Sequence, residues 1–223
     1  MRIIFVRHGH PDYVKDCLTE LGHLQAEAAA ERLKNEPFTR VFASSCGRAH
    51  ETALHICEKK GVPLTAIFDF MRELDWGPID NTPDWQKYNP WEICFDMVRG
   101  RETLLSGEWV NRADFSQSKI VGEVEKIGNA FDAFLETLGY KREGEYYRVN
   151  NATDETIVMV SHGGAASGVI ARLFNLAFPF ICTTLRWDFT AIAEVDFVGE
   201  NGDLISPRFG LVNDSRHING VKV

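Results

Sequence analysis

Two four-residue runs, Ile3-Ile4-Phe5-Val6 and Ile157-Val158-Met159-Val160, are wholly apolar. Short runs of this kind read as strands buried on both faces, the habit of a parallel sheet covered by helices on each side. The residues around them agree. A helix opens at Leu18-Thr19-Glu20-Leu21-Gly22 and runs to about Asn35, with Leu21, Leu24, Ala28 and Leu33 at helical spacing and Pro37 ending it. Arg40-Val41-Phe42-Ala43-Ser44 reads as a second strand. A helix over about Gly47 to Lys60 follows, presenting Ala49, Ala53 and Ile56 and closing at Gly61. Thr65 to Phe68 supplies a third strand. Alternating strand and helix argue for crossover connections and a mostly parallel sheet.

These strands end in reactive residues. Arg7-His8-Gly9-His10 follows the first, Ser44-Ser45-Cys46-Gly47-Arg48 the second, and Ser161-His162-Gly163-Gly164 a later one. Parallel strands bring their carboxyl ends to one edge, where open α/β sheets bind ligands. The helices that follow point free N–H groups toward the same edge. Arg offers a planar fork for phosphate oxygens, and His can be a nucleophile or a proton carrier near neutral pH. Gly9 lets backbone approach a ligand. A crevice built this way suits a phosphoryl group.

The alternation breaks between residues 76 and about 118, where Trp76, Trp85, Trp91 and Trp109, four of the five Trp, lie among Gly, Pro, Arg99, Arg101 and Arg112. A helix resumes with Val121, Val124, Ile127, Phe131, Phe134 and Leu138. Gly144 to Val149 reads as a strand or hairpin piece, and a helix runs from after His162 to about Leu176. Ala191 to Phe197 and Leu204 to Leu211 flank Gly199-Glu200-Asn201-Gly202-Asp203, a hairpin pattern. With no repeat and no linker, the expectation is one domain over 1–223 carrying a Trp-rich insert, or lid, at about 76–118.

Composition narrows the function. The 24 basic and 32 acidic residues leave a net charge of −8, which argues against a nucleic-acid partner. The longest candidate membrane segment, Leu173 to Leu185, is short and holds Asn175 and Pro179. The first strand begins at residue 2 and leaves no room for a signal peptide. Five scattered Cys (Cys17, Cys46, Cys57, Cys94 and Cys182) fit reduced thiols in a cytoplasmic protein. Neither nucleic acid nor membrane is expected as a partner.

The motifs, taken in order, resemble those of the histidine phosphatase superfamily, the group that includes phosphoglycerate mutases. The carrying residues are Arg7-His8-Gly9, then Leu18-Thr19-Glu20 with Gly22 and Gln25-Ala26. Ser44-Ser45 and Arg48-Ala49-His50-Glu51-Thr52-Ala53 follow, then Arg72-Glu73-Leu74-Asp75-Trp76-Gly77 and Ser161-His162-Gly163. The resemblance implies a phosphoglycerate mutase-like three-layer α/β/α sandwich. It implies His8 as the nucleophile that becomes a phosphohistidine. It gives Arg7, Arg48 and His162 the phosphoryl oxygens, with Gly163 beside them, and makes Glu73 the proton donor and later the base. Positive side chains do the work of a metal, so neither a metal nor another cofactor is expected.

The chain departs from the family in places. His10 stands where Glu, Gln or Asp is usual, and Ser45 where Pro is usual. His10 has no role in the family pattern and is expected to be structural or to sit at the pocket rim. Glu73-Leu74-Asp75-Trp76-Gly77 resembles the phosphatase branch rather than the mutases. His23, His50, His55 and His217 read as surface or capping residues, and Arg99, Arg101 and Arg112 as solvated. The expected function is hydrolysis of a small phosphorylated metabolite. Two alternatives stay open: a mutase-type phosphotransferase, and a weakly catalytic protein that binds a phosphate ligand. A cysteine phosphatase would need Arg six residues after a Cys, and no Cys here has it. His8-x-His10 also fits a metal hydrolase, but that barrel usually needs about 250 residues.

Overall fold

The computed structural model describes residues 1–80 and 85–222; the side chains of Trp85 and Gln86 also lie outside the described residues, and with them part of the 76–118 insert. In chain order the elements begin with β1 (Arg2–Arg7), the short pair β2 (Pro11–Asp12) and β3 (Cys17–Leu18), α1 (Glu20–Leu33), β4 (Arg40–Ser44), α2 (Gly47–Lys60) and β5 (Leu64–Phe68). The insert carries α3 (Pro90–Arg99) and α4 (Ala113–Ser116). Then come α5 (Ile120–Thr137), β6 (Tyr140–Glu143), β7 (Tyr146–Val149), β8 (Thr156–Ser161), α6 (Gly163–Phe174), α7 (Phe178–Thr184), β9 (Ile192–Asp196), β10 (Leu204–Ile205) and β11 (Arg208–Asp214).

Six strands form the central sheet in the order β11-β9-β1-β8-β4-β5. β1, β8, β4 and β5 run parallel; beyond β1, β9 pairs antiparallel with β1 and β11 antiparallel with β9. Side chains alternate across the strands and feed two cores. Ile3, Phe5, Phe42, Ile157 and Met159 join the layer that contains α5 and α6. Ile4, Val6, Val41, Val158 and Val160 join the layer of α1 and α2. Burying each such side chain contributes about 1.5–3 kcal/mol. A one-residue slip of β1 would exchange its two faces, so burial on both sides fixes the register. That register sets Arg7 level with Ser161 of β8.

Four expectations need adjustment. The buried face of α1 is Gly22, Gln25, Ala26, Ala29, Ala30 and Leu33, while Leu24 is exposed. Small residues win because α1 packs against α2, whose facing residues Ala49 and Ala53 are themselves small. The expected strand from Leu204 to Leu211 is two strands. Pro207 lies between them; β10 pairs with β7 in a separate sheet, and β11 pairs with β9. Pro lacks the N–H a continuous ladder requires. The apolar run from Leu173 to Leu185 contains a second helix, α7, after Asn175 ends α6 in a left-handed conformation (φ 54°). Gly144 turns β6 into β7 at φ 62°, making the expected hairpin piece a full hairpin.

The insert is fastened at its base. Pro78 bridges to Ser118, Ile79 N donates to Gln117 O at 2.9 Å, and Lys119 N donates to Gly77 O at 2.9 Å. No described helix is long and apolar enough to cross a membrane.

Candidate active site

β1 and β8 are neighbours in register, so His8 and His162 leave the sheet side by side. Their rings lie 5.0 Å apart at 60°. His8 is 1% exposed. Its Nδ1 lies 2.7 Å from Gly9 O. A carbonyl can only accept, so Nδ1 carries the proton and Nε2 keeps its lone pair. Arg48 Nε donates to that Nε2 at 3.3 Å. Burial, together with Arg7 and Arg48, pushes His8 down to about 3, so its imidazole is neutral across the physiological range. His162 is likewise held well below its ordinary value, by burial and by His8, Arg48 and Arg7. Its Nε2 lies 2.9 Å from Ser44 Oγ, and its buried Nδ1 has no partner.

The loop after β1 is pressed onto the start of α1. A Cβ on Gly9 would sit 2.5 Å from Gly22 O, and one on Gly22 would sit 2.1 Å from His10 O. Only glycine at both positions lets the loop close. Gly9 N donates to Thr52 Oγ1 at 3.1 Å, which ties the loop to α2. The His10 backbone N donates to Gln25 Oε1 at 2.8 Å, its Nδ1 lies 2.9 Å from Thr19 Oγ1, the cap of α1, and its ring centre lies 5.2 Å from that of Phe189. His10 thus links the loop to the start of α1, the structural alternative of its expected roles.

Arg7 ends β1. Its Nη1 donates to Trp187 O at 2.5 Å, its guanidinium stacks 4.2 Å from the Phe189 ring centre, and its buried Nε has no partner. Arg48 lies in the first turn of α2 and is 8% exposed. Asp16, in the loop between β2 and β3, pairs with Arg48 Nη1 and accepts from Gly47 N at 2.8 Å through Oδ2.

Glu73 reaches the same crevice from the segment after β5. Ser161 Oγ donates to Met71 O at 2.7 Å and pins that segment to β8. Glu73 Oε1 accepts from the amides of Leu74 (3.1 Å) and Ala165 (3.0 Å). Loss of hydration raises its carboxyl above the ordinary value, although those amides and Arg7 oppose the shift. Gly164 leaves room for this carboxyl: a Cβ there would lie 2.5 Å from Glu73 Oε1 and push it from its place.

A cavity of about 520 Å³ opens from Arg7, Glu73 and Gly163. Trp76, Trp91 and Phe95 of the insert line one side, and residues 182–187, after and within the end of α7, line the other. All six sequence candidates, Arg7, His8, Arg48, Glu73, His162 and Gly163, therefore border one crevice or the cavity leading into it. Arg99 and Arg112 do not; they pair with Asp96 and with Glu102 and Asp114. Sequence reading missed Asp16 and Trp187. Asp16 directly precedes the motif Cys17-Leu18-Thr19-Glu20, and Trp187 is the one Trp outside the insert. Among the described residues, no three His, Cys, Asp or Glu group to hold a metal ion.

A family model for the histidine phosphatase superfamily (branch 1) matches residues 3–114. The glucosyl-3-phosphoglycerate phosphatase of Mycobacterium tuberculosis is 26% identical over 184 residues, covering 78% of this chain and 76% of that protein. A Yersinia pestis protein bearing the name "Probable phosphoglycerate mutase GpmB" is 39% identical over 160 residues, or 71% of this chain and 64% of its own length. Among solved structures, phosphoserine phosphatase of Entamoeba histolytica, in complex with phosphoserine, has a TM-score of 0.66 at 20% identity and covers 98% of this chain and 99% of that one. The native mycobacterial glucosyl-3-phosphoglycerate phosphatase has a TM-score of 0.64 at 24% identity, covering 95% and 98%. At these identities the structural likeness speaks for the fold.

Proposed function

The chain belongs to the histidine phosphatase superfamily, and on that footing we propose that it is a phosphomonoester hydrolase working through a phosphohistidine at His8. The observation that carries this reading is the state of His8. Its Nδ1 proton is committed to Gly9 O at 2.7 Å, and its neutral Nε2 lies 3.3 Å from Arg48 Nε. A neutral nucleophile must attack a dianion, so fixed positive charge at that atom lowers the barrier.

In the first step Nε2 bonds to phosphorus, the ester P–O bond breaks, and the leaving oxygen takes the proton of Glu73. In the second step water gives a proton to Glu73, its oxygen bonds to phosphorus, the N–P bond breaks, and phosphate departs. Arg7, Arg48 and His162 hold the phosphoryl oxygens throughout. The unpartnered atoms Arg7 Nε and His162 Nδ1 are the hydrogen-bonding positions this reading uses. A raised carboxyl at Glu73 suits an acid that must hold its proton until the bond breaks, a contribution of about 10²–10⁴-fold. The free thiols, four of them buried, are in keeping with a reducing cytoplasmic setting.

Mixing enzyme with a ³²P-labelled phosphomonoester and quenching in alkali should trap one acid-labile label per chain, absent in His8→Ala. Steady turnover by His8→Ala would end the reading. The Yersinia relative's name favours a second reading, transfer to another hydroxyl. Labelled phosphate found on an added acceptor alcohol rather than as inorganic phosphate would establish that reading.

A further inference from the structure

The cavity beside Arg7 and Glu73 is poor in free polar groups. Trp76 and Trp91 meet edge to face, with ring centres 5.5 Å apart. The tip of Trp91 lies against Gly164, 3.1 Å from where a Cβ would be, and Glu73 abuts the same glycine. An aromatic wall therefore starts next to the carboxyl that would protonate the leaving oxygen. Phe95 and Leu185 continue the apolar lining.

Most polar side chains of that lining are already engaged; Tyr13, 66% exposed with its ring centre 5.4 Å from Arg48 Cζ, stands at the phosphate end. Thr183 Oγ1 donates to Pro179 O at 2.9 Å, and Thr184 Oγ1 donates to Phe180 O at 2.5 Å. Trp187 Nε1 donates to Ser167 Oγ at 3.2 Å. Apart from Arg7, the only cation among the lining residues is Arg186, which is exposed and paired with Asp188 at 2.6 Å. Away from Tyr13 and the exposed Arg186, a carboxylate or polyol in the cavity would leave water and find Thr183, Thr184 and Trp187 already bonded, whereas a ring would find the apolar walls of Trp76, Trp91, Phe95 and Leu185.

We propose that the alcohol half of the substrate is apolar and at least one ring in size: the enzyme takes hydrophobic phosphomonoesters, not phosphorylated hydroxy acids or sugars. This rests on the hydrolase reading of the same site. It separates the chain from relatives whose names or ligands are acidic phosphates.

The test compares kcat/KM of the purified full chain for benzyl phosphate and 2-naphthylmethyl phosphate with that for O-phosphoserine and 3-phosphoglycerate. All four are primary alkyl esters, so leaving-group chemistry is matched and the cavity decides. The aromatic esters should lead by about 100-fold, mostly through KM, the scale set by leaving two polar groups unpaired. Trp91→Ala should shrink that lead about tenfold, the scale of a lost aromatic contact. Phe95→Ala, at a more exposed position, should shrink it in the same direction without threatening the fold. An equal or better rate with phosphoserine or 3-phosphoglycerate, or a lead unmoved by both variants, overturns the substrate class and leaves the hydrolase reading standing. Failure to hydrolyse any of the four, and 4-nitrophenyl phosphate as well, overturns the hydrolase reading and this inference together.

Discussion

Asp16 and Arg48 form an ion pair in which the carboxylate also accepts from Gly47 N at 2.8 Å, so one side chain fixes both the guanidinium and the first turn of α2. Asp16 achieves this from a left-handed backbone conformation, φ 53°. Its carboxyl is drawn below the ordinary value; burial pushes it up, but its bonds to Gly47 and Arg48 outweigh that. Asp16 is thus a positioning residue for the arginine that faces His8 Nε2.

Replacing Asp16 with Ala should free Arg48 to swing and leave the Gly47 amide uncapped. Stability should fall by about 1 kcal/mol, as for a lost helix cap. The kcat/KM for phosphomonoesters should fall about tenfold, the scale of one loosened charge contact. Asp16→Asn, which can still accept from Gly47, should recover the melting temperature but not the rate. Recovery of both would make Asp16 purely structural.

Within the ordinary range the pH profile should have one limb, a descending one. His8 must be neutral to attack, and with its value at about 3 that requirement is met throughout the ordinary range. Glu73 must be protonated, and its carboxyl is raised, so kcat/KM for a poor leaving group should fall as pH rises through that raised value. Glu73→Gln should abolish the descending limb at a much lower plateau. A descending limb that survives the substitution belongs to another group.

The same carboxyl bears on stability. Its folded value lies above its unfolded one, so the folded state binds the proton more tightly, and stability is lost as pH rises through the folded value. Glu73→Gln should therefore melt higher than the natural chain at pH 7, with the gap closing toward pH 4. A gap constant with pH would mean the ionised carboxylate is well accommodated.

Gly164→Ala places a methyl group 2.5 Å from Glu73 Oε1 and 3.1 Å from the tip of Trp91. Helix propensity favours Ala by about 1 kcal/mol, so the fold should survive. The displaced acid should slow benzyl phosphate about 10- to 100-fold, within the range of general acid catalysis. 4-Nitrophenyl phosphate, whose leaving group needs little protonation, should lose far less. Equal losses would argue that the damage lies elsewhere.

Dialysis against a chelator should leave turnover unchanged. The imidazole of His10, the partner a metal at His8 would need, is engaged through Nδ1 by Thr19 Oγ1. Loss of activity restored by a divalent cation would revive the metal hydrolase reading.

Much of the site was legible because strand ends are local events. An uncharged run that stops at Arg7-His8 or Ser161-His162 announces both a buried strand and the edge where it ends. Arg48 also follows a strand end, whereas Glu73 came through the family pattern alone, since no spacing rule brings its loop to the same crevice. Asp16 escaped because a carboxylate among turn residues looks solvated; its partner lies 32 positions away and meets it only after α1 and α2 have packed. The far cavity wall escaped for a related reason. Phe178 to Thr184 is too short and too uniformly apolar to declare a helix by periodicity, and nothing local links it to Trp91. The face of α1 was misjudged because Leu counts for more than Ala in a hydrophobic pattern, whereas close helix packing selects for small side chains.

The clasp at Pro78–Ser118 separates two kinds of change. Residues that would hold phosphate hang from the sheet, whose register is enforced by two cores. Trp91 and Phe95 of the aromatic wall hang from a segment that departs and returns at the facing residues Pro78 and Ser118, with Trp76 just before them. Exchanging the stretch between those residues for one of different length or polarity would redraw the cavity while leaving β1, β4 and β8 in place. This makes the segment a natural unit for grafting, through which one set of chemical groups can be redirected from one alcohol to another.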